Sequence, residues 1–89
     1  MAWRVEISPL AKRQLKKIDR QDARRLLVFL YERVEKRANP RAIGEPLKGD
    51  ELGEFWKYRV GNYRIIVGLE DRLLTVFVVR VGHRRDVYR

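Results

Sequence analysis

Residues 55–66 constrain the fold most strongly, because they have the pattern of two strands joined by a tight turn. Runs of aromatic and β-branched residues flank Gly61-Asn62, a pair that readily takes the positive φ angles of a two-residue hairpin turn. Side chains alternate between the two faces of a strand, so the residues before the turn predict one apolar and one cationic face. Those residues are Trp56, Lys57, Tyr58, Arg59 and Val60.

The predicted turn places two arginines opposite each other. With Gly61-Asn62 at the turn, Arg59 lies directly across the hairpin from Arg64. Like charges in this arrangement are destabilising, so one interpretation is that the two guanidinium groups hold an anion between them. The alternative is that both groups extend separately into water on a solvated face.

The sequence before the hairpin predicts a strand followed by two helices. Apolar and charged residues alternate in residues 3–7, as in a half-buried strand. Ser8-Pro9 begins a short amphipathic helix with a basic outer face, and Asp19 caps a second helix that we expect to end near Ala38. The apolar stripe of the second helix comprises Ala23, Leu26, Leu27, Leu30, Tyr31 and Val34.

The sequence after the second helix predicts a loop and the rest of the sheet. Residues 41–54 are punctuated by glycine and proline, which predicts a loop. Residues 73–81 form an almost continuous apolar run, typical of a strand in the interior of a sheet. We expect Gly82 to end that strand and Val87-Tyr88 to form a last short strand.

These elements together predict a single α+β domain over residues 1–89. The order is β-α-α-β-β-β, an antiparallel meander with an N-terminal strand and a two-helix hairpin packed on one face. The helices must bury their apolar stripes against the sheet. The cationic side chains of the hairpin are therefore expected on the opposite side of the sheet.

The composition predicts an anionic partner. The formal charge is +9, from 21 lysines and arginines against 12 acidic residues, and the pI is near 10.5. This balance favours a polyanion, with nucleic acid as the first candidate, or an acidic protein. Cysteine is absent and histidine occurs once, so we expect no disulfide, metal or other cofactor. The sequence has no apolar run of about 20 residues and begins with a strand rather than a signal peptide, so we expect a cytoplasmic protein without a membrane partner.

The meander brings the end of the last long strand beside the hairpin, so cations and an aromatic residue that are distant in sequence gather there. Arginine binds phosphate through its forked donors, and an aromatic ring stacks on an unpaired base. RNA is cleaved when its own 2′-OH attacks the adjacent phosphate, and cations stabilise the charge that develops. The candidate residues are Lys57, Arg59, Arg64, His83, Arg84 and Tyr88.

Two of these candidates have simpler alternatives. His83 is the residue type that most often transfers protons near neutral pH, but it is also consistent with a loop histidine that has no catalytic role. Tyr88 is placed to stack on a base, but it is equally consistent with a tail residue that packs on the edge of the sheet.

The sequence resembles the RelE family of bacterial and archaeal toxins, within the wider RelE/ParE superfamily of type II toxin–antitoxin systems. The resemblance extends over nearly the whole chain. It rests on Ser8-Pro9 with Ala11 after the opening strand, on Leu47-Lys48-Gly49, on residues 56–65 and on residues 81–88. The last two motifs in combination are specific to the family.

The resemblance implies an endoribonuclease that enters the ribosomal A site, cleaves mRNA there and is neutralised by a RelB-type antitoxin. By resemblance, Lys57 and Arg59 line the mRNA site, and Arg64 and Arg84 stabilise the transition state. Tyr88 would stack on or orient the substrate nucleotide. The remaining candidate, His83, stands where some members carry lysine and is a candidate acid or base.

Two other functions stay open. ParE-type relatives share the fold but act on DNA gyrase without RNase activity, and they tend to lack the late arginine and tyrosine. The presence of Arg64, Arg84 and Tyr88 together favours the ribonuclease. The other alternative is a basic RNA- or ribosome-binding module without chemistry.

Overall fold

A five-stranded mixed sheet with helices on one face forms the fold, as seen in a computed structural model that describes residues 3–36, 39–47 and 55–87. The strands are β1 (Arg4–Ile7), β2 (Glu45–Pro46), β3 (Phe55–Val60), β4 (Tyr63–Glu70) and β5 (Thr75–His83). The helices are α1 (Pro9–Lys17) and α2 (Arg20–Val28), followed by a π-helical segment (Phe29–Val34) and a 3-10 helix (Pro40–Ile43). The predicted α+β class is confirmed.

The strand order is β1-β5-β4-β3-β2. Strands β2 to β5 pair with their neighbours in antiparallel fashion, while β1 pairs with β5 in parallel. The predicted hairpin and its register are confirmed, since Arg59 pairs with Arg64 and Val60 with Tyr63. Two predicted N-caps are also present, because the side chain of Ser8 accepts a hydrogen bond from the Ala11 N–H and that of Asp19 from the Gln21 N–H.

The second helix differs from its prediction at its C-terminal end. Its helical geometry widens into the π-helical segment and ends at Val34, earlier than the expected Ala38. The Glu35 N–H donates to the Leu30 carbonyl, five residues back, at 2.9 Å. Within this segment Tyr31, predicted in the apolar stripe, is exposed, whereas Leu30 and Val34 of the same stripe are buried.

Glu35 covers the outer edge of β1. Its carboxylate accepts a hydrogen bond from the Val5 N–H at 3.0 Å, and its carbonyl accepts one from the Trp3 N–H at 3.1 Å. The π-helical segment thus has a structural consequence, because it delivers Glu35 to backbone donors that the parallel pairing with β5 leaves unused.

Three predictions in the C-terminal half were wrong. The strand does not end at Gly82 but continues through it to His83, and it contains a bulge at Val79. The predicted loop over residues 41–54 contains the 3-10 helix and β2, which pairs with β3. Val87 lies in a turn rather than a strand, and Tyr88 is outside the described residues.

Tyr58 of β3 is the largest fully buried side chain of the core. Its hydroxyl donates to the Pro40 carbonyl at 2.8 Å, and its ring lies 5.5 Å from that of Phe29. A Cβ at Gly44 would lie 2.8 Å from the Tyr58 ring, so a glycine is needed there. The tyrosine therefore joins β3 to the 3-10 helix and to the π-helical segment. Among the helices in the described part of the chain, none is long and apolar enough to cross a membrane.

Tyr58→Phe should lower the free energy of unfolding by roughly 1–2 kcal/mol, because it leaves the buried Pro40 carbonyl without its donor. Urea unfolding followed by circular dichroism measures the change. Tyr31→Phe is the matched control, since Tyr31 is exposed, and it should change stability by less than about 0.5 kcal/mol. Equal effects of the two substitutions would contradict the role of the Tyr58 hydroxyl.

The contribution of Tyr58 should also depend on pH. Burial raises its pKa from 10.0 to about 12. The folded protein therefore keeps a proton that the unfolded chain releases, and the associated stability is present below pH 10 and lost as the pH rises towards 12. The stability difference between wild type and Tyr58→Phe should shrink across that window when both are unfolded in urea. A difference that stays constant to pH 12 would contradict this linkage.

Candidate functional site

The register of β4 with its two neighbours gathers four cations on the face of the sheet opposite the helices. Directly paired residues project to the same face. Arg64 pairs with Arg59 on β3 and with Gly82 on β5, while Ile66 pairs with Lys57 and Arg80. We call the set of these four side chains the cationic face: Lys57, Arg59, Arg64 and Arg80.

Arg80 was missed in the sequence analysis. It lies within an apolar run that predicts an interior strand, and the run itself does not indicate to which face of the sheet the Arg80 side chain points. The bulge at Val79 shifts the alternation of side chains and turns Arg80 towards the other cations. The available signal was its spacing of two residues from Gly82, which pairs with Arg64.

The two arginines of the hairpin each have a separate partner. Arg59 Nε lies 2.9 Å from a carboxylate oxygen of Glu45 on β2. Arg64 Nη1 donates to the carbonyls of Gly61 and Tyr63 at 3.1 and 2.8 Å. The repulsion between the two paired residues is therefore offset by acceptors on different segments, and the Arg64 side chain is anchored at the hairpin turn.

The C-terminal turn folds back over the cationic face. The Arg84 N–H donates to the Asn62 carbonyl of the hairpin turn at 2.7 Å, and the Val87 N–H donates to His83 O at 3.0 Å. Val87 is buried against Gly82, where a Cβ would lie 3.4 Å from the Val87 Cα. The hairpin and residues 81–87 are thus brought together, as the predicted meander requires.

Arg80 supports this arrangement from the sheet. Its Nη1 donates to the Val87 carbonyl at 3.2 Å. A groove of about 220 Å³ runs alongside, lined by Leu47, Phe55, Ile66, Val79, Arg80 and Val87. The cationic face therefore has an apolar border, formed where the C-terminal turn meets the sheet. Tyr88, predicted as a site residue, follows Val87 directly in the chain but lies outside the described residues.

His83 does not join the cationic face. It pairs with Tyr63, on the side of the sheet that faces the helices, and the two rings lie 5.9 Å apart in an edge-to-face arrangement. Tyr63 donates its hydroxyl hydrogen bond to Asp22 at 3.0 Å, and burial together with this bond raises the pKa of Tyr63. The site therefore contains arginine and lysine side chains, with the histidine on the opposite face.

The fold and the family of the chain agree with those of known toxins. Residues 5–88 match the family described as the ParE toxin of the type II toxin–antitoxin system, parDE. Over 89 residues the chain is 30% identical to the toxin RelG of Mycobacterium tuberculosis, covering 100% of this chain and 99% of that protein. The chain is thus a toxin of a type II toxin–antitoxin system. It belongs to the RelE/ParE superfamily.

Solved structures show the same architecture. The toxin–antitoxin complex RelBE2 of Mycobacterium tuberculosis contains a chain with a TM-score of 0.84 and 27% identity, and the match covers 94% of this chain and 100% of that one. An archaeal RelE–RelB complex from Pyrococcus horikoshii matches with a TM-score of 0.75 and 23% identity, over 98% and 100% of the two chains. The isolated Escherichia coli RelE toxin matches with a TM-score of 0.70 and 21% identity, over 92% and 84%. The last two likenesses concern the fold alone.

Val87→Ala should loosen the C-terminal turn while leaving the sheet intact, because it removes buried methyl groups between Gly82 and the groove. If the substitution lowers the free energy of opening the turn by roughly 1.4 kcal/mol, the amide hydrogens of Arg84 and Val87 should exchange about tenfold faster. The amide of Ile65, in the middle of β4, should exchange at the wild-type rate. Val28→Ala, at an exposed valine, is the control, and equal exchange at Arg84 in both variants would contradict the role of Val87.

Proposed function

We propose that this toxin is a ribosome-dependent endoribonuclease that cleaves mRNA in the ribosomal A site and so inhibits translation. The observation that carries the proposal is the cationic face, with Arg64 anchored at the hairpin turn and the backbone of Arg84 bonded to the same turn. Guanidinium groups brought together from two distant segments suit a phosphate whose charge increases during the reaction.

In the proposed reaction, the 2′-oxygen forms a bond to phosphorus and loses its proton, while the bond to the 5′-oxygen breaks and that oxygen gains a proton. Arg64 and Arg84 stabilise the dianionic phosphorane between these two states. Lys57 and Arg59 bind the flanking phosphates and fix the register of the mRNA. Tyr88 stacks on the nucleotide and orients its 2′-OH.

We assign to His83 neither the removal of the 2′-OH proton nor the protonation of the 5′-oxygen, because His83 projects from the face of the sheet opposite the cationic face. Arg80 is added to the site as a residue that supports the C-terminal turn through the Val87 carbonyl. The ammonium group of Lys57, on the cationic face, and the hydroxyl of Tyr88 are the remaining candidates for proton transfer to the leaving oxygen.

The proposed partners are the ribosome, mRNA and a RelB-type antitoxin. Solved relatives support the antitoxin, since the similar chains from Mycobacterium tuberculosis and Pyrococcus horikoshii belong to a RelBE2 toxin–antitoxin complex and to a RelE–RelB complex. The charge of +9 supports RNA as the surface on which the toxin acts. A second candidate function is inhibition of DNA gyrase, which the ParE description of the matched family favours.

Arg64→Ala and Arg84→Ala should each reduce cleavage of a defined mRNA on ribosomes by about 100-fold or more, because each removes a donor to the developing charge. The assay maps new 3′ ends with and without ribosomes. Arg72→Ala is the control, since Arg72 is an exposed arginine in the turn at the far end of β4, and it should cleave at the wild-type rate.

Two results would overturn the proposal. One is mRNA that stays intact with folded wild-type toxin on translating ribosomes, after which a gyrase supercoiling assay tests the second candidate. The other is full cleavage by both Arg64→Ala and Arg84→Ala. Cleavage that is equal with and without ribosomes would retain the nuclease but reject its dependence on the ribosome.

A further inference from the structure

A second groove, of about 360 Å³, lies between the end of α2 and the hairpin turn. Three arginines surround it, and its floor is apolar. The arginines are Arg25, Arg33 and Arg59, and the floor includes Val28, Phe29 and Val60. We call it the arginine groove.

The arginines come from three different parts of the fold. Arg25 projects from α2 towards the hairpin turn, where a Cβ at Gly61 would lie 2.9 Å from its Nη2. Arg33 belongs to the π-helical segment, and its guanidinium lies 6.0 Å from the centre of the Phe29 ring. Arg59 comes from β3. Gly61 borders the groove beside the Arg25 guanidinium, and its φ of 59° is what requires a glycine at this position.

Two of these cations lack an anionic partner in the part of the chain that the structure describes. Within residues 3–36, 39–47 and 55–87, neither Arg25 nor Arg33 makes an ion pair, whereas Arg59 is paired with Glu45. Val28, on the floor between them, has 51% of its surface exposed. The groove thus combines unpaired guanidinium groups with an uncovered aliphatic side chain.

This combination fits a protein segment better than RNA. Phe29 already contacts two neighbours that compete with a stacked base, because the Tyr58 ring lies 5.5 Å from its own and the Arg33 guanidinium lies over it at 6.0 Å. Val28 presents methyl groups, which suit an aliphatic side chain rather than a stacked base. A second copy of the chain is disfavoured as the occupant, since each copy carries a charge of +9.

We propose that the arginine groove docks an acidic segment of the antitoxin, with an aliphatic side chain against Val28 and carboxylates on Arg25, Arg33 and Arg59. This inference rests on the proposed function, which supplies the antitoxin as partner. Arg59 belongs to both the groove and the cationic face, so a carboxylate bound to it in the groove withdraws it from an mRNA phosphate.

The test measures the affinity of the antitoxin for single variants of the full-length toxin by fluorescence anisotropy, with the labelled RelB-type antitoxin as probe. Arg25→Glu, Arg33→Glu and Val28→Asp should each weaken binding by about tenfold or more. Arg24→Glu is the matched control, because it makes the same charge change on the exposed surface of the same helix without lining the groove. It should bind within about threefold of wild type.

Folding of each variant is checked by its thermal transition, and all the changes lie at exposed positions. Affinities of the three groove variants equal to that of Arg24→Glu would overturn the inference. Loss of ribosome binding in these variants, with antitoxin affinity intact, would overturn it in favour of RNA. A wild-type homodimer that Val28→Asp dissociates, again with antitoxin affinity intact, would overturn it in favour of a second copy.

The mRNA cleavage assay separates this inference from the proposed function. Wild-type toxin that leaves mRNA intact but binds the antitoxin through the groove would reject the nuclease and retain the docking site. Wild-type toxin that cleaves mRNA and binds the antitoxin, but shows no dependence on Arg25, Arg33 or Val28, would retain the nuclease and reject the docking site. Failure of wild-type toxin to bind the antitoxin would reject both the proposed partner and the inference.

Discussion

The two-residue turn at Gly61-Asn62 is the constraint on which the other features depend. Gly61 has a φ of 59°, which a glycine adopts without strain, and this fixes the pairing of β3 with β4. A slip of one residue would move every cation of β3 to the face that packs on the helices. The same turn accepts hydrogen bonds from Arg64 and from the Arg84 backbone, so the register also determines where the C-terminal turn begins.

Glycine has a second role in β5, where it provides space rather than backbone freedom. Gly82 pairs with Arg64 across the sheet and leaves a gap that Val87 fills. The chain can therefore return over the cationic face without a long loop. The border of the cationic face is therefore made from backbone contacts and apolar side chains, and Arg80 joins that border to the face through the Val87 carbonyl.

The sequence predicted well whatever depends on neighbours in the chain. The hairpin register followed from Gly61-Asn62, and the helix caps followed from Ser8 and Asp19. The errors arise where one extra residue changes the alternation of side chains. The bulge at Val79 turns Arg80 towards the other cations, and the second helix widens into the π-helical segment before its expected end.

The face of His83 was missed for a related reason. We expected the strand to end at Gly82, which would have left His83 in a loop with its direction undetermined. Because β5 continues to His83, the alternation of side chains along the strand determines the face to which His83 points. It pairs with Tyr63 on that face. Single-residue shifts of this kind depend on contacts between distant segments, and local sequence patterns do not contain them.

The way in which Glu35 covers β1 bears on solubility. An edge strand with free backbone donors invites pairing with another chain, which is the usual first step of sheet-to-sheet aggregation. Glu35 satisfies the donors of Trp3 and Val5, and at the other edge of the described sheet Pro46 has no N–H to offer. The outer edge of β1 and the proline end of β2 are thus poor templates for a further strand, and the described sheet offers fewer edge positions at which another copy could add to it.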